Sequence, residues 1–308
     1  MWTYTEPEAA IRDALRLSEG MTYKNSVAGL HLGGGKGVLV RPPGAAPTGK
    51  ERTAGLLDFG DAVEAAGGRY LTAEDVGMAP SDIATVFRRT KYVTGRSRRA
   101  SGSGDPSPMT ALGVFASIQA SCERAFGSGG LRGRSVAVVG LGHVGLPLAR
   151  LLAKAGAKLV LADINPARCA DAVALGATWR TPAKAMTASV DVLSPCALGG
   201  ILDAESVTQV QAPVIAGAAN NQLSTPDIAA LLQRRGVLWA PDFVVNAGGV
   251  INIGVEFDRG GYNPGVARKR TLAIATTLHE VLDDAAARKV TTLDAAMDRA
   301  KARIAAGR

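Results

Sequence analysis

The chain has 308 residues, of which 47% are hydrophobic and 20% charged, a globular balance that excludes wholesale disorder and suits two ordinary domains. Only 5% are aromatic while 37 are glycine, an excess expected where a backbone turns tightly or approaches a ligand closely. Three scattered cysteines (Cys122, Cys169, Cys196) exclude a disulfide framework or zinc cluster and suit a cytoplasmic protein, and no apolar run is long enough to span a bilayer.

In chain order, Met1–Glu6 has neither the basic nor the apolar region of a secretory signal. Thr5-Glu6-Pro7-Glu8 reads as a capping box opening a helix whose face is Ile11, Ala14, Leu15 and Ser18, with Gly20 as its stop. Lys24 and Lys36 follow in glycine-flanked segments. Val38–Val40 reads as a strand, Arg41–Gly44 as a surface connection, 52–66 as a helix and Tyr70–Thr72 as another strand. The run from Arg88 to Arg99 carries six cations and no acid. Without aromatic interleaving it reads as a solvated rim able to concentrate an anionic ligand, and nucleic acid is not expected as a partner.

Ser101–Pro108, rich in Gly, Ser and Pro, is the expected boundary between a substrate domain (1–105) and a cofactor domain (106–279). After a helix over 109–126, short apolar strands alternate with helices: strands at 135–139, 158–162, 190–193, 214–216 and 237–239. That alternation predicts an α/β fold with a Rossmann-type, doubly wound parallel sheet. The tail, 266–288 and 293–304, reads as helices that return to the first domain and complete it with residues 280–308.

The strand Val136–Val139 runs into Gly140-Leu141-Gly142-His143-Val144-Gly145, and a helix follows. Gly140 would make the turn, Gly142 admit a pyrophosphate, and Gly145 let helix pack on strand, with the phosphates at the helix N-terminus. Asp163, 18 residues beyond Gly145, ends the next strand, where an acid accepts the ribose hydroxyls of NAD and repels a 2′-phosphate. NAD is therefore expected over NADP. His143 reads as structural, and Cys196 with Ala197 as small residues lining the cofactor cleft.

Gly33-Gly34-Gly35-Lys36 is no Walker loop, because Leu30 stands where its first glycine belongs. Three glycines before a lysine suggest an amine set against a ligand by close backbone approach. Two ammonium groups in one cleft would depress each other's pKa, as a lysine base near neutrality requires; exposed loop lysines are the plain alternative.

Several segments then resemble the Glu/Leu/Phe/Val dehydrogenase family, nearest its leucine and valine dehydrogenases. They are Gly20–Asn25, Leu32–Lys36, Thr72-Ala73-Glu74-Asp75-Val76-Gly77, Tyr92–Gly95, Pro106–Ala111, Pro195–Gly199, Gly217–Leu223 and Pro241–Gly249. The resemblance runs in order along essentially the whole chain. It implies NAD-dependent oxidative deamination of an L-amino acid to its 2-oxo acid and ammonia. Lys24 would hold the substrate carboxylate, Lys36 would be the base that activates water, and Asp75 would exchange protons with the amino group. Thr110 would bond the nicotinamide carboxamide, Asn220 would bridge cofactor and substrate, and Asn246 would line the cleft.

Val250-Ile251-Asn252-Ile253 would give an aliphatic pocket for leucine, valine or isoleucine, with phenylalanine as the alternative. By the same resemblance residue 1 falls inside the family's first domain, and the early strands that wall the pocket and join subunits are missing. A homo-oligomer is expected where those strands are dispensable. A catalytically silent, NAD-binding relative that acts by association is the other expectation. His31 stands where the family pattern leads one to expect Asn.

Overall fold

The computed structural model describes residues 1–41, 44, 46–75, 77–97 and 102–307. Val76 of the Thr72–Gly77 motif, Arg98 and Arg99 of the basic run, and Ser101 of the expected boundary lie outside the described residues. The first region holds helices α1 (Pro7–Val27), α2 (Gly49–Ala65) and α3 (Pro80–Val86), followed by the long α4 (Ser107–Phe126). Then come β1 (Ser135–Val139), α5 (Gly145–Lys154), β2 (Lys158–Ala162), α6 (Cys169–Ala174), β3 (Thr178–Trp179) and α7 (Pro182–Met186). They are followed by β4 (Val192–Pro195), α8 (Ala204–Gln209), β5 (Val214–Ile215), α9 (Asp227–Arg234) and β6 (Leu238–Trp239). The chain ends in α10 (Asp242–Val245), α11 (Gly248–Gly254), α12 (Pro264–Leu272), α13 (Ile274–Arg288) and α14 (Thr292–Ala305).

All six strands are parallel, in the order β3-β2-β1-β4-β5-β6. The reversal of direction between β1 and β4 makes the switch point at which such sheets bind ligands. Alternation along the strands feeds two cores, since successive side chains point to opposite faces. Val136, Val138, Leu159 and Leu161 pack with Ile118 of α4, Leu148 and Leu152 of α5, and Leu278 of α13. Ala137, Leu193, Ile215 and Trp239 face the other way, onto Ala185 of α7, Val207 of α8 and Leu232 of α9. Burial on both faces explains why these strands read as unbroken apolar runs. The two-residue β3 has too little pattern of its own to announce itself.

The first region departs further from expectation. Helix α1 runs through Gly20 to Val27. A mid-helix glycine costs only about 1 kcal/mol, and beyond it Asn25, Ser26 and Val27 are buried, with Ser26 Oγ donating to Ala300 O of α14 at 2.7 Å. Packing of the far end thus outweighs the local stop. The N-cap is Glu6, without a side-chain bond, so the capping box does not form. Ile11 and Leu15, expected on a packed face, are 60% and 66% exposed. The two expected early strands are reduced to single parallel bridges, Trp2 with Val40 and Thr72 with Val93. A small cluster of Leu56, Ile83, Val86 and Val93 holds α2 and α3 together. Helix α14 packs along α1. Among the described residues no helix is long and apolar enough to cross a membrane.

Candidate active site

The extension of α1 carries Lys24 out of the expected loop and fixes it on a helix, where its Nζ donates to Asn220 Oδ1 at 2.7 Å. Asn220 lies in the connection after β5, on the carboxyl side of the sheet. Its Oδ1 also accepts from Asn246 Nδ2 at 3.0 Å, and Asn246 Nδ2 donates further to Ala218 O at 3.1 Å. Asn246, just past α10, is buried, and its Oδ1 has no hydrogen-bond partner among the described residues. A buried acceptor without a donor is costly unless a ligand or water supplies one.

Burial pushes the Lys24 ammonium down to about 8; the Asp242 carboxylate opposes that fall and Lys36 adds to it. Asp242 was not singled out in the sequence. It opens α10 and is 7% exposed, its carboxylate accepting the backbone N–H of Gln222 at 2.7 Å. Burial raises its pKa, against the amides directed at it and the charge of Lys24. The Pro-Asp pair ahead of a helix was the available signal, but it reads equally as an ordinary helix start.

Lys36 and Asp75 form an ion pair, with side chains 22% and 52% exposed. Burial holds the Lys36 ammonium below its usual range, with Asp13 opposing. The glycines before Lys36 do allow close approach, but the surface approached is the protein itself. A Cβ on Gly34 would lie 2.0 Å from Thr22 Oγ1 of α1, and one on Gly35 2.8 Å from the Tyr70 ring. Gly34 seats the loop on α1, the helix that carries Lys24, and Gly35 seats it on Tyr70.

At the expected cofactor turn, Gly140 has φ 102° and its N–H donates to Ala162 O at 2.8 Å. A Cβ there would strike Ala197, and one on Gly145 would fall within van der Waals exclusion of Gly140 O and 3.2 Å from Cys196 Cβ. A Cβ on Gly142, by contrast, would meet nothing within 4 Å. No side chain caps α5, which begins just beyond Val144. Asp163 accepts from the Leu141 N–H at 2.6 Å and the Asn165 N–H at 2.8 Å, one bond to each oxygen. Each oxygen keeps a lone pair for a hydroxyl donor. His143 is exposed, and its charge is felt by Glu74 of the first region. Burial raises the Cys196 thiol, which fits a lining residue and opposes a nucleophile. Thr110, on the first turn of α4, donates to Pro106 O at 3.2 Å and lies against Gly249. The open Gly142 and the uncapped helix start fit the phosphates of a dinucleotide.

On α11 the expected aliphatic run divides. Val250 and Ile253 are half-buried and one helical turn apart, whereas Ile251 is buried and Asn252 Oδ1 accepts from Tyr262 OH at 2.8 Å. Ile251 instead lines a cavity of about 510 Å³ behind α11, together with Leu30, the exposed His31 and Ala247. Among the described residues no cluster of His, Cys, Asp and Glu is arranged to hold a metal.

Comparison with known proteins gives the geometry its setting. Residues 3–92 match the model of the Glu/Leu/Phe/Val dehydrogenase dimerisation domain, and residues 167–306 that of Glutamate/Leucine/Phenylalanine/Valine dehydrogenase. The chain belongs to this family. It is 42% identical to leucine dehydrogenase of Geobacillus stearothermophilus over 306 residues, 99% of this chain and 82% of that protein. It is 43% identical to L-tryptophan dehydrogenase of Nostoc punctiforme over 304 residues, 98% of this chain and 83% of that one. The crystal structure of L-tryptophan dehydrogenase from Nostoc punctiforme superimposes with a TM-score of 0.84 at 39% identity, covering 99% of this chain and 86% of that one. The fold is thus the two-domain α/β architecture of amino acid dehydrogenases with a Rossmann sheet, and membership of the family makes amino acid dehydrogenation its class of activity.

Proposed function

We propose that this protein is an NAD-dependent dehydrogenase of branched-chain L-amino acids, releasing the 2-oxo acid, ammonia and NADH. The observation that carries the reading is the pairing of two sets of groups: Lys24 and Asn246 both donating to Asn220 Oδ1, and Lys36 paired with Asp75. Lys24 binds the α-carboxylate as a point charge, keeping Asn220 on one of its three N–H groups. The bound nicotinamide supplies the acceptor for the hydride of the α-carbon. Lys36, whose pKa burial lowers, takes a proton from water as that water attacks the iminium carbon. Asp75, still partly open to solvent, balances the iminium charge, then receives from Lys36 the proton taken from water and passes it to the departing amine. Thr110 orients the nicotinamide, Asn220 bridges cofactor and substrate, and Asn246 binds the substrate in the cleft. Gly140, Leu141, Gly142, His143, Val144 and Gly145 receive the pyrophosphate, and Asp163 the adenosine ribose, beside Cys196 and Ala197.

The aliphatic reading rests on Val250 and Ile253, half-buried and one turn apart on α11. The near-equal identity to a leucine and a tryptophan dehydrogenase favours an aromatic substrate as the second reading. The division of labour falls at residues 105/106, with 280–308 returning to the substrate domain, and the match to a dimerisation domain supports a homo-oligomer. The test is NADH formation at alkaline pH with leucine, valine, isoleucine, phenylalanine, tryptophan and glutamate, repeated with NADP. Turnover of the branched substrates with NAD is expected. A preference for tryptophan or phenylalanine would replace the aliphatic pocket, and NAD binding without any turnover would leave the silent relative.

A further inference from the structure

We propose that Asp242 is a positioning residue of the amino acid site, tying down the 220–222 turn and standing as the counter-charge opposite Lys24. The inference rests on the proposed amino acid dehydrogenation and adds to it a residue that touches neither substrate nor cofactor.

Asn220 has to hold its oxygen between two donors that come from different elements, Lys24 of α1 and Asn246 beyond α10. A residue with that duty needs a rigid backbone, yet it sits in a connection and not in a strand. The next residue, Asn221, has φ 51°, a left-handed conformation that asparagine tolerates better than most side-chain-bearing residues. The groups that hold the turn there are identifiable. Asp242 accepts the Gln222 N–H at 2.7 Å, and the amides of Asn221 and Phe243 are directed at the same carboxylate. Gly200 N–H donates to Asn221 O at 2.7 Å on the other side. Below, the Gln222 side chain donates to Gly217 O at 2.9 Å and Ala219 O at 3.1 Å, and accepts from Trp239 Nε1 at 3.1 Å. One buried carboxylate therefore joins the turn that carries Asn220 to the helix that precedes Asn246.

Its charge has a second use. The charged groups acting on Lys24 are Asp242 and Lys36, and Lys36 is itself paired with Asp75 and near Asp13. Asp242, on a helix packed against α1, thus favours the charged form of Lys24 that a substrate carboxylate needs. A neutral residue of the same shape could keep part of the clamp and none of this attraction.

The test compares wild type with Asp242→Asn and Asp242→Glu, using the amino acid that wild type turns over best. Asp242→Asn is expected to raise KM for the amino acid at least tenfold, with a smaller change in kcat and an NAD Kd within twofold of wild type. The pH above which KM climbs should fall by one unit or more. Asp242→Glu, which keeps the charge but displaces it, should raise KM without moving that pH. A KM and a pH profile unchanged in both variants would overturn the inference. So would loss of a cooperative thermal transition in both, since the role would then be structural alone. Acylation of Lys24 by acetic anhydride, followed by mass spectrometry against pH, reads the same shift without turnover. If wild type oxidises no amino acid, the proposed function falls, while the labelling comparison still decides for or against the counter-charge.

Discussion

The Lys24 ammonium and the Asn220 carbonyl oxygen meet at 2.7 Å across 196 positions of sequence, joining the first helix to the carboxyl edge of the sheet. Asn246 fills the other lone pair of the same oxygen, at 3.0 Å. Removing that oxygen would take the acceptor from Lys24 Nζ and from one N–H of the buried Asn246, whose Nδ2 keeps Ala218 O, a loss that costs about 1–3 kcal/mol. Asn220→Ala should therefore raise KM for the amino acid about tenfold to a hundredfold. Steady-state kinetics at saturating NAD measures this, and a KM within twofold of wild type would show that the bridge does no positioning.

The depressed pKa of Lys24 gives a pH dependence of definite sign. With its pKa at about 8, Lys24 is charged below pH 8 and binds a carboxylate; above it the charge is lost. Affinity should then fall roughly tenfold for each pH unit beyond 8, the ratio of charged to neutral lysine setting the slope. A branched aliphatic carboxylate without an amino group, used as a competitive inhibitor, keeps the titration of the substrate amine out of the measurement. A Ki that stays flat to pH 10 would mean that Lys24 remains charged throughout and that Asp242 outweighs burial.

Lys36 must lose a proton to act, and this separates a base from a mere cation. Burial lowers its pKa while the Asp75 carboxylate lies against it, so the proton has a short path between the two. Lys36→Ala should reduce kcat by about 10²–10⁴, the usual share of a general base. Lys36→Arg should be no better, since a guanidinium keeps its proton at any working pH. Activity of the arginine variant near that of wild type would identify Lys36 as an electrostatic partner instead.

The sequence exposes the cofactor half more fully than the substrate half, for a physical reason. Val136–Val139, Leu159–Leu161 and Val192–Leu193 are buried on both faces, so composition alone marks them as strands of a parallel sheet. Around Lys24 and Lys36 the decisive forces are long-range. Gly20 looks like a helix stop until Ser26 is seen bonded to Ala300, and Gly34 looks like a ligand contact until Thr22 is seen beneath it. Asp242 is the clearest omission. Its meaning lies in the amide of Gln222 and the charge of Lys24, neither of which its own neighbours in sequence reveal.

The glycines of the turn after β1 offer a way to part folding from cofactor binding. Gly145 packs against the carbonyl of Gly140 and the Cβ of Cys196, so a methyl group there forces the start of α5 away from β1. Overpacking of this kind costs about 1–3 kcal/mol, and Gly145→Ala should lower the thermal midpoint of the free protein by several degrees. Gly142 has open space where its Cβ would stand, so Gly142→Ala should leave that midpoint within about a degree. The same methyl group would nevertheless occupy the path of a pyrophosphate, and NAD affinity should drop at least tenfold, about 1.4 kcal/mol. Thermal unfolding without ligand and NAD titration by NADH-competition fluorescence supply the two readings for each variant. Should Gly142→Ala bind NAD as wild type does, the dinucleotide phosphates approach α5 by another route, and the assignment of this turn would have to be withdrawn.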